Sequence, residues 1–212
     1  MGFSSIDKPA DHYGLSLIVG GAESSLWEIS GAYASMARVL GNYGRGGRHY
    51  RTSDIQPLII INSAGNVPDT TRSETSPLSA ASISCVLTAL REVHRPDDEM
   101  GWQSFADHER ISLKTGTSFG HRDAWAIGTS DQWCVAVWSG NASGEGRPGL
   151  TGTLASAPLM FDLFRLLPKG SGFEVPFDEM TRAVTCHASG YLANNDCPET
   201  DTTWIPLPGT RT

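Results

Sequence analysis

The chain has 212 residues, 39% of them hydrophobic and 18% charged, with a formal net charge of -7. That length and apolar content fill a core and exclude a disordered segment. The acidic balance, without any run of Lys or Arg, excludes a nucleic-acid-binding surface. Met1 opens the chain, but Gly2-Phe3-Ser4-Ser5 is not a charged segment leading into an apolar one, so no signal peptide is expected. The longest apolar run, Leu58-Ile59-Ile60-Ile61, is too short to span a bilayer.

In chain order, residues 1–23 read as loop, ending in Leu15-Ser16-Leu17-Ile18-Val19 and Gly20-Gly21. Ser25 with Glu28 three residues on is a capping box and predicts a helix. Leu26, Ile29, Tyr33, Met36 and Leu40 give its apolar stripe, and Gly41 and Gly44 are expected to end it. Small residues at Gly31, Ala32, Ala34 and Ala37 allow close packing against a neighbour. Arg51 to Ile61 reads as a strand or extended segment, and Asn62 to Pro77 as loop. A second helix is expected from Ser79 to His94, with a stripe of Ile83, Val86, Leu87, Leu90 and Val93, stopped by Pro96. Asp97 to Glu109 reads as a polar, exposed connection.

Three strands follow, Ile111 to Thr117, Asp123 to Thr129 and Trp133 to Ser139. Links of a few residues predict an antiparallel meander. A glycine-rich loop from Gly140 to Gly152 leads to a helix over Leu154 to Leu167, which Pro168, Gly170 and Gly172 break. Ser171 to Thr212 reads as short strands and loops in a separate small module. The fold class expected is α+β, an antiparallel sheet flanked by helices.

The stretch that carries chemistry is Lys114-Thr115-Gly116-Thr117-Ser118, a strand lysine followed by hydroxyls around a glycine. Three residues of K-T-G recur by chance, and alone they read as an exposed lysine blunting a sheet edge. The flanks add specificity. Trp102 to Gly128, above all Leu113 to Ser118 followed by Gly120-His121-Arg122-Asp123-Ala124-Trp125-Ala126-Ile127-Gly128, resembles the transpeptidase domain of class A penicillin-binding proteins. Leu17-Ile18-Val19-Gly20-Gly21-Ala22 and Gly31-Ala32-Tyr33-Ala34-Ser35-Met36-Ala37 resemble the same domain, in the expected order. Thr181-Arg182-Ala183-Val184-Thr185-Cys186 with Cys197-Pro198 is similar to the C-terminal extension of the penicillin-binding protein 1C subgroup.

The resemblance implies a serine DD-transpeptidase of peptidoglycan cross-linking, from the bifunctional glycosyltransferase/transpeptidase family. Its fold would be an incomplete penicillin-binding transpeptidase fold. Residues 1–168 would be the C-terminal part of the transpeptidase domain, and residues 169–212 the truncated start of the extension. Acyl transfer from a D-Ala-D-Ala peptide needs a nucleophile, a base, an oxyanion hole and a carboxylate anchor. By resemblance, Lys114 supplies positive charge for proton shuttling and for the substrate carboxylate. Thr115 fixes the strand, and Gly116 lets the substrate backbone approach. Thr117 offers its hydroxyl to the carboxylate and its N–H to the oxyanion hole, and Ser118 supports the carboxylate contact. Arg122 and Asp123 are assigned to a structural ion pair or turn lock.

The family also uses S-x-x-K and S-x-N motifs, expected upstream of Leu17–Gly21, so the chain reads as a fragment lacking the nucleophile motif and inactive by itself. Ser5-Ile6-Asp7-Lys8 spells S-x-x-K, but in a loop before Pro9. Ser139-Gly140-Asn141 spells S-x-N, but after K-T-G, and reads as a turn. Partners implied are the peptidoglycan stem peptide and β-lactams, together with an upstream half of the same enzyme. The intact family is periplasmic and membrane-anchored. The alternative is a noncatalytic remnant or cell-wall-binding module; a hydrolase using Ser5 and Lys8 is a third reading. A sheet edge left unpaired predicts a chain that is marginally stable or self-associating.

No cofactor or metal is expected, because the six histidines show no paired spacing. His121, in the turn after K-T-G, reads as a surface histidine. Cys85 and Cys134 read as small core hydrophobes. Cys186 and Cys197 lie in a polar, turn-rich tail with ten residues between them. A disulfide there fits an oxidising compartment; two free thiols are the alternative.

Overall fold

The computed structural model describes residues 2–60, 71–96 and 111–207. The expected connection from Asp97 to Glu109 and most of the expected loop from Asn62 to Pro77 lie outside the described residues. The first segment is more structured than a loop. A single turn, α1 (Ala10–Tyr13), runs into a 3-10 stretch, Gly14–Val19, which leaves Leu15, Ile18 and Val19 exposed.

Helix α2 (Leu26–Arg45) starts where the sequence predicts. The Ser25 side chain accepts from the Glu28 N–H, and Glu28 reaches back to the Ser25 N–H. It does not stop at Gly41. It passes through Gly41 and Gly44 to Arg45. A helical glycine costs about 1 kcal/mol, and burial of Val39, Leu40 and Tyr43 around Gly41 outweighs that. The buried face is Ala32, Ser35, Val39, Leu40 and Tyr43; of the predicted stripe Leu40 is buried and Met36 packs against the same core, while Leu26, Ile29 and Tyr33 are half-buried.

Of the strand or extended segment expected over 51–61, strand pairing is confined to β1 (Tyr50–Arg51), paired with β2 (Arg72–Ser73). Arg38 is the reason. Its guanidinium donates to the carbonyls of Asp54 at 3.0 Å and Gln56 at 2.9 Å, so those groups serve α2 and not a ladder. Helix α3 (Ala80–Ala89) is capped by Ser79 and ends well before His94. The Leu90 carbonyl at its end accepts from the N–H of Leu113, so helix gives way to a contact with the sheet. Val86, placed in the predicted stripe, is exposed.

The meander forms as read. Strands β3 (Ser112–Thr117), β4 (Asp123–Thr129) and β5 (Cys134–Gly140) lie side by side, antiparallel, in the order β3-β4-β5. After the glycine-rich loop a π-helical turn, Gly152–Ser156, opens α4 (Ala157–Arg165). One face of the sheet packs on α4, where Leu113, Ala126 and Val137 meet Met160, Phe161 and Phe164. The other face meets α2, with the Cys134 thiol 3.7 Å from the Ser30 carbonyl. A second core joins α2 and α3 through Val39, Leu40, Tyr43, Ile83 and Leu87.

The tail holds β6 (Met180–Cys186) and β7 (Thr200–Pro206), an antiparallel pair after a 3-10 turn at Phe177–Glu179. Asp178 accepts from Tyr43 and pairs with Arg48, while Glu179 accepts from the Tyr50 hydroxyl and from the Ala81 N–H. The architecture is α+β with small antiparallel sheets, as the sequence predicts. Among the described residues no helix is long and apolar enough to cross a membrane.

Candidate functional site

The K-T-G stretch occupies β3, and among the described residues β3 is an edge strand of its sheet. Ser112 to Thr117 pair with Thr129 to Ala124 on β4. In an antiparallel strand successive N–H groups point alternately toward and away from the partner. Two bonds fix which is which: the Ser118 N–H donates to the Asp123 carbonyl, whereas the Leu113 N–H donates outward to Leu90. The main-chain groups of Thr115 and Thr117 therefore face outward. Lys114 is exposed, and its ammonium curls around the edge to donate to the carbonyl of Thr115. Gly116 sits opposite Trp125, and a methyl group added at Gly116 would touch it at an ordinary 3.5 Å. The fold itself does not demand glycine at this position.

The turn after β3 is tied several times. The Ser118 hydroxyl accepts from the Asp123 N–H at 2.8 Å, and the Asp123 carboxylate accepts from the Trp138 indole at 2.9 Å. His121 takes a left-handed φ of 55°, with its ring Nδ1 3.1 Å from the Leu150 carbonyl. Its own carbonyl accepts from the Arg147 N–H at 3.0 Å, stitching the glycine-rich loop to the turn. Arg122 is exposed, and Arg122 and Asp123 form no ion pair with each other.

The π-helical turn is fastened to all three strands. Thr151 caps it by accepting from the Leu154 N–H. The Gly152 N–H donates to the Thr117 hydroxyl oxygen at 3.2 Å, which leaves the Thr117 O–H able to donate elsewhere. The buried Ser156 hydroxyl lies 2.8 Å from the Ala124 carbonyl and 3.1 Å from the Ser139 hydroxyl. An added methyl at Gly152 would sit 2.3 Å from the Trp125 carbonyl oxygen and 2.7 Å from that of Gly116. Arg95, itself buried, donates to the Ile111 carbonyl at 2.7 Å and lies over the Phe161 ring at 5.2 Å, holding the entry to β3.

The structure thus brings Lys114, Thr115, Gly116, Thr117, Ser118, Arg122 and Asp123 together on one edge and its turn. Ser5 and Lys8 are on an exposed loop, each bonded elsewhere: the Ser5 hydroxyl to Glu28 at 2.5 Å and Lys8 to Asp7 at 3.2 Å. Ser139 ends up pinned by Ser156 rather than forming a motif. Cys186 and Cys197 are free thiols in hydrogen-bond contact. Sequence reasoning missed Trp138, Arg95, Gly152 and Ser156. Only Thr151, a cap-type residue before a helix, gave a local signal there.

Among the described residues no group of three or more His, Cys, Asp or Glu side chains gathers as a metal site. No family model matches the chain. It is similar to penicillin-binding protein 1C of Escherichia coli (strain K12), 27% identical over 198 residues. The alignment covers 90% of this chain but only 23% of that relative, so the chain spans about a quarter of its length. The resemblance that the K-T-G segment and its flanks suggest therefore extends over nearly the whole chain, which is penicillin-binding protein 1C-like.

Proposed function

We propose that this chain contributes the K-T-G wall of a serine DD-transpeptidase site that cross-links peptidoglycan and is acylated by β-lactams when complete. The observation that carries the reading is the open edge of β3, with outward main-chain groups at Thr115 and Thr117 beside an exposed Lys114. A stem peptide ending in D-Ala-D-Ala adds along that edge as an extra strand. Lys114 and the Thr117 O–H receive its carboxylate, and the Thr117 N–H faces the developing oxyanion, a donor typically worth about 100–1000-fold in rate. Gly116 keeps the approach clear. Ser118 and Asp123, bonded to each other across the turn, hold Thr117 in place.

On this reading residues 1–168 are the later part of a transpeptidase domain and 169–212 begin an extension. The break after α4 and the separate β6-β7 sheet support that division. The nucleophile belongs to an upstream half of the same enzyme, periplasmic and membrane-anchored. The alternative, a noncatalytic remnant or wall-binding module, uses the groove along this edge together with the tail.

The test is an amide-shift titration of the isotope-labelled chain with an acyl-D-Ala-D-Ala peptide. Shifts should concentrate at Thr115 and Thr117 and vanish in Lys114→Ala, while Gly116→Ala folds normally yet binds weakly. Peptide-independent spectra at this edge would refute the reading. Intact mass after incubation with a penicillin separates the alternatives further: a stable acyl adduct on any serine would put the nucleophile within this chain.

A further inference from the structure

We propose that Cys186 and Cys197 are a dithiol that oxidises to a disulfide stapling the β6-β7 hairpin. The hairpin connection is not a slack loop. It folds back on β6: the Cys186 N–H donates to the Tyr191 carbonyl at 2.8 Å, the Ala193 N–H donates to Val184 at 2.9 Å, and Thr185 bridges Leu192. A turn at Asn194 then returns the chain, with the Cys197 N–H on the Asn194 carbonyl at 3.2 Å and the Cys197 thiol on the Asn194 side chain at 3.3 Å. These bonds deliver the two sulfurs into hydrogen-bond contact before any covalent bond exists. The staple would close a loop of ten intervening residues.

Hydrogen bonds from the Cys197 thiol and from Ser189 hold the Cys186 thiol down at about 7, so Cys186 is the thiolate of the reduced pair. A bond from the Asn194 backbone lowers Cys197, but its contact with Cys186 outweighs that and raises it, as befits the proton donor of the pair. With a small-molecule disulfide such as oxidised glutathione, one protein thiolate attacks one sulfur and expels the first glutathione thiolate, which takes up a proton. The other protein thiol, deprotonated, then attacks the protein sulfur of the mixed disulfide and expels the second. Two protein thiols are oxidised, one disulfide is reduced, and two glutathione thiols leave.

The experiment exposes the reduced full chain to oxidised glutathione and reads intact mass and cysteine-containing peptides. The wild type should lose two hydrogens and yield a peptide pair joined through Cys186 and Cys197. Cys186→Ser and Cys197→Ser should each fail to lose two hydrogens and should yield no bridged peptide pair. A bridge to Cys85 or Cys134, or a wild-type chain ending with glutathione on Cys197 and a free Cys186, would overturn the proposal. The wild-type mapping involves no substitution and decides the pairing even where a variant fails to fold.

Discussion

Gly152→Ala isolates the contact that seats the K-T-G strand. The added methyl would lie 2.3 Å from the Trp125 carbonyl oxygen, 2.7 Å from the Gly116 carbonyl oxygen and 3.0 Å from the Gly116 nitrogen. All three are backbone atoms of paired strands, so no flexible side chain can swing away. Either β3 and β4 move or the π-helical turn lifts off the sheet. Overpacking of this kind costs about 1–3 kcal/mol. Lifting the turn also breaks the Gly152 N–H bond to Thr117, worth about 1 kcal/mol more. The sum, about 2–4 kcal/mol, lowers the melting temperature by about 4–16 °C for a chain of this size. Urea denaturation measures it directly, and the Thr117 amide should shift while those of the tail do not. Gly144→Ala is the control: Gly144 has a φ of 72° with nothing within 4 Å, so its cost is backbone strain alone, about 1 kcal/mol. If Gly152→Ala costs no more than Gly144→Ala, the turn does not seat β3 and the reasoning fails.

Trp138→Phe keeps a ring but removes the indole bond to Asp123, so hydrogen-exchange protection across Ser118 to Asp123 should drop, with about 0.5–1.5 kcal/mol lost in urea. Tyr50→Phe strips a partner from both Glu179 and the buried Ala80 N–H, and should cost about 1–3 kcal/mol. Burial raises both Tyr43 and Tyr50 above the usual phenol range. Their contribution is complete below a pH of about 10 and is lost as pH rises through the folded values, so Tyr43→Phe with Tyr50→Phe should flatten the alkaline limb of the stability profile. Glu28 runs the other way. Hydrogen bonds from Ser4, Ser5 and Ser25 pull its carboxyl well below the usual range, so its contribution is present above a pH of about 4.3 and lost as pH falls through the folded value. In Glu28→Gln the acid limb should be shallower; an unchanged limb would rule out this cluster as a source of acid sensitivity. Sedimentation velocity should detect self-association, given that β3 is an edge strand among the described residues and that Leu15, Ile18 and Val19 are exposed.

What the sequence shows well is what local rules control. The Ser25 cap is written within four residues, and the three strands of the meander are written in period-two apolar faces joined by links of a few residues. What it hides depends on partners far along the chain. Nothing near Arg51 says that it precedes a 3-10 turn rather than a long strand, because the deciding group is Arg38, donating from α2 to carbonyls 16 and 18 residues away. Nothing near Leu90 says that α3 ends there, because its carbonyl is taken by Leu113 of β3. Gly41 and Gly44 mislead for the same reason: a glycine's helix penalty is local, and the burial that overrides it is not.

The same distinction separates scaffold from chemistry at the candidate site. Gly116 and Gly152 are packed backbone to backbone, yet they are glycines for different reasons. Gly152 has no room for a methyl group, so the fold alone explains it. Gly116 has room, at 3.5 Å from Trp125, and a strand interior ordinarily favours a larger residue. Under the proposed function, what keeps it glycine is a ligand that must come close from outside, along the edge where Thr115 and Thr117 turn their main-chain groups outward. Substitution at Gly116 should therefore spare stability and damage ligand approach, and substitution at Gly152 should do the reverse first. Equal loss of stability at both positions would show that the open edge is itself part of the packed fold and not a surface kept free for a substrate.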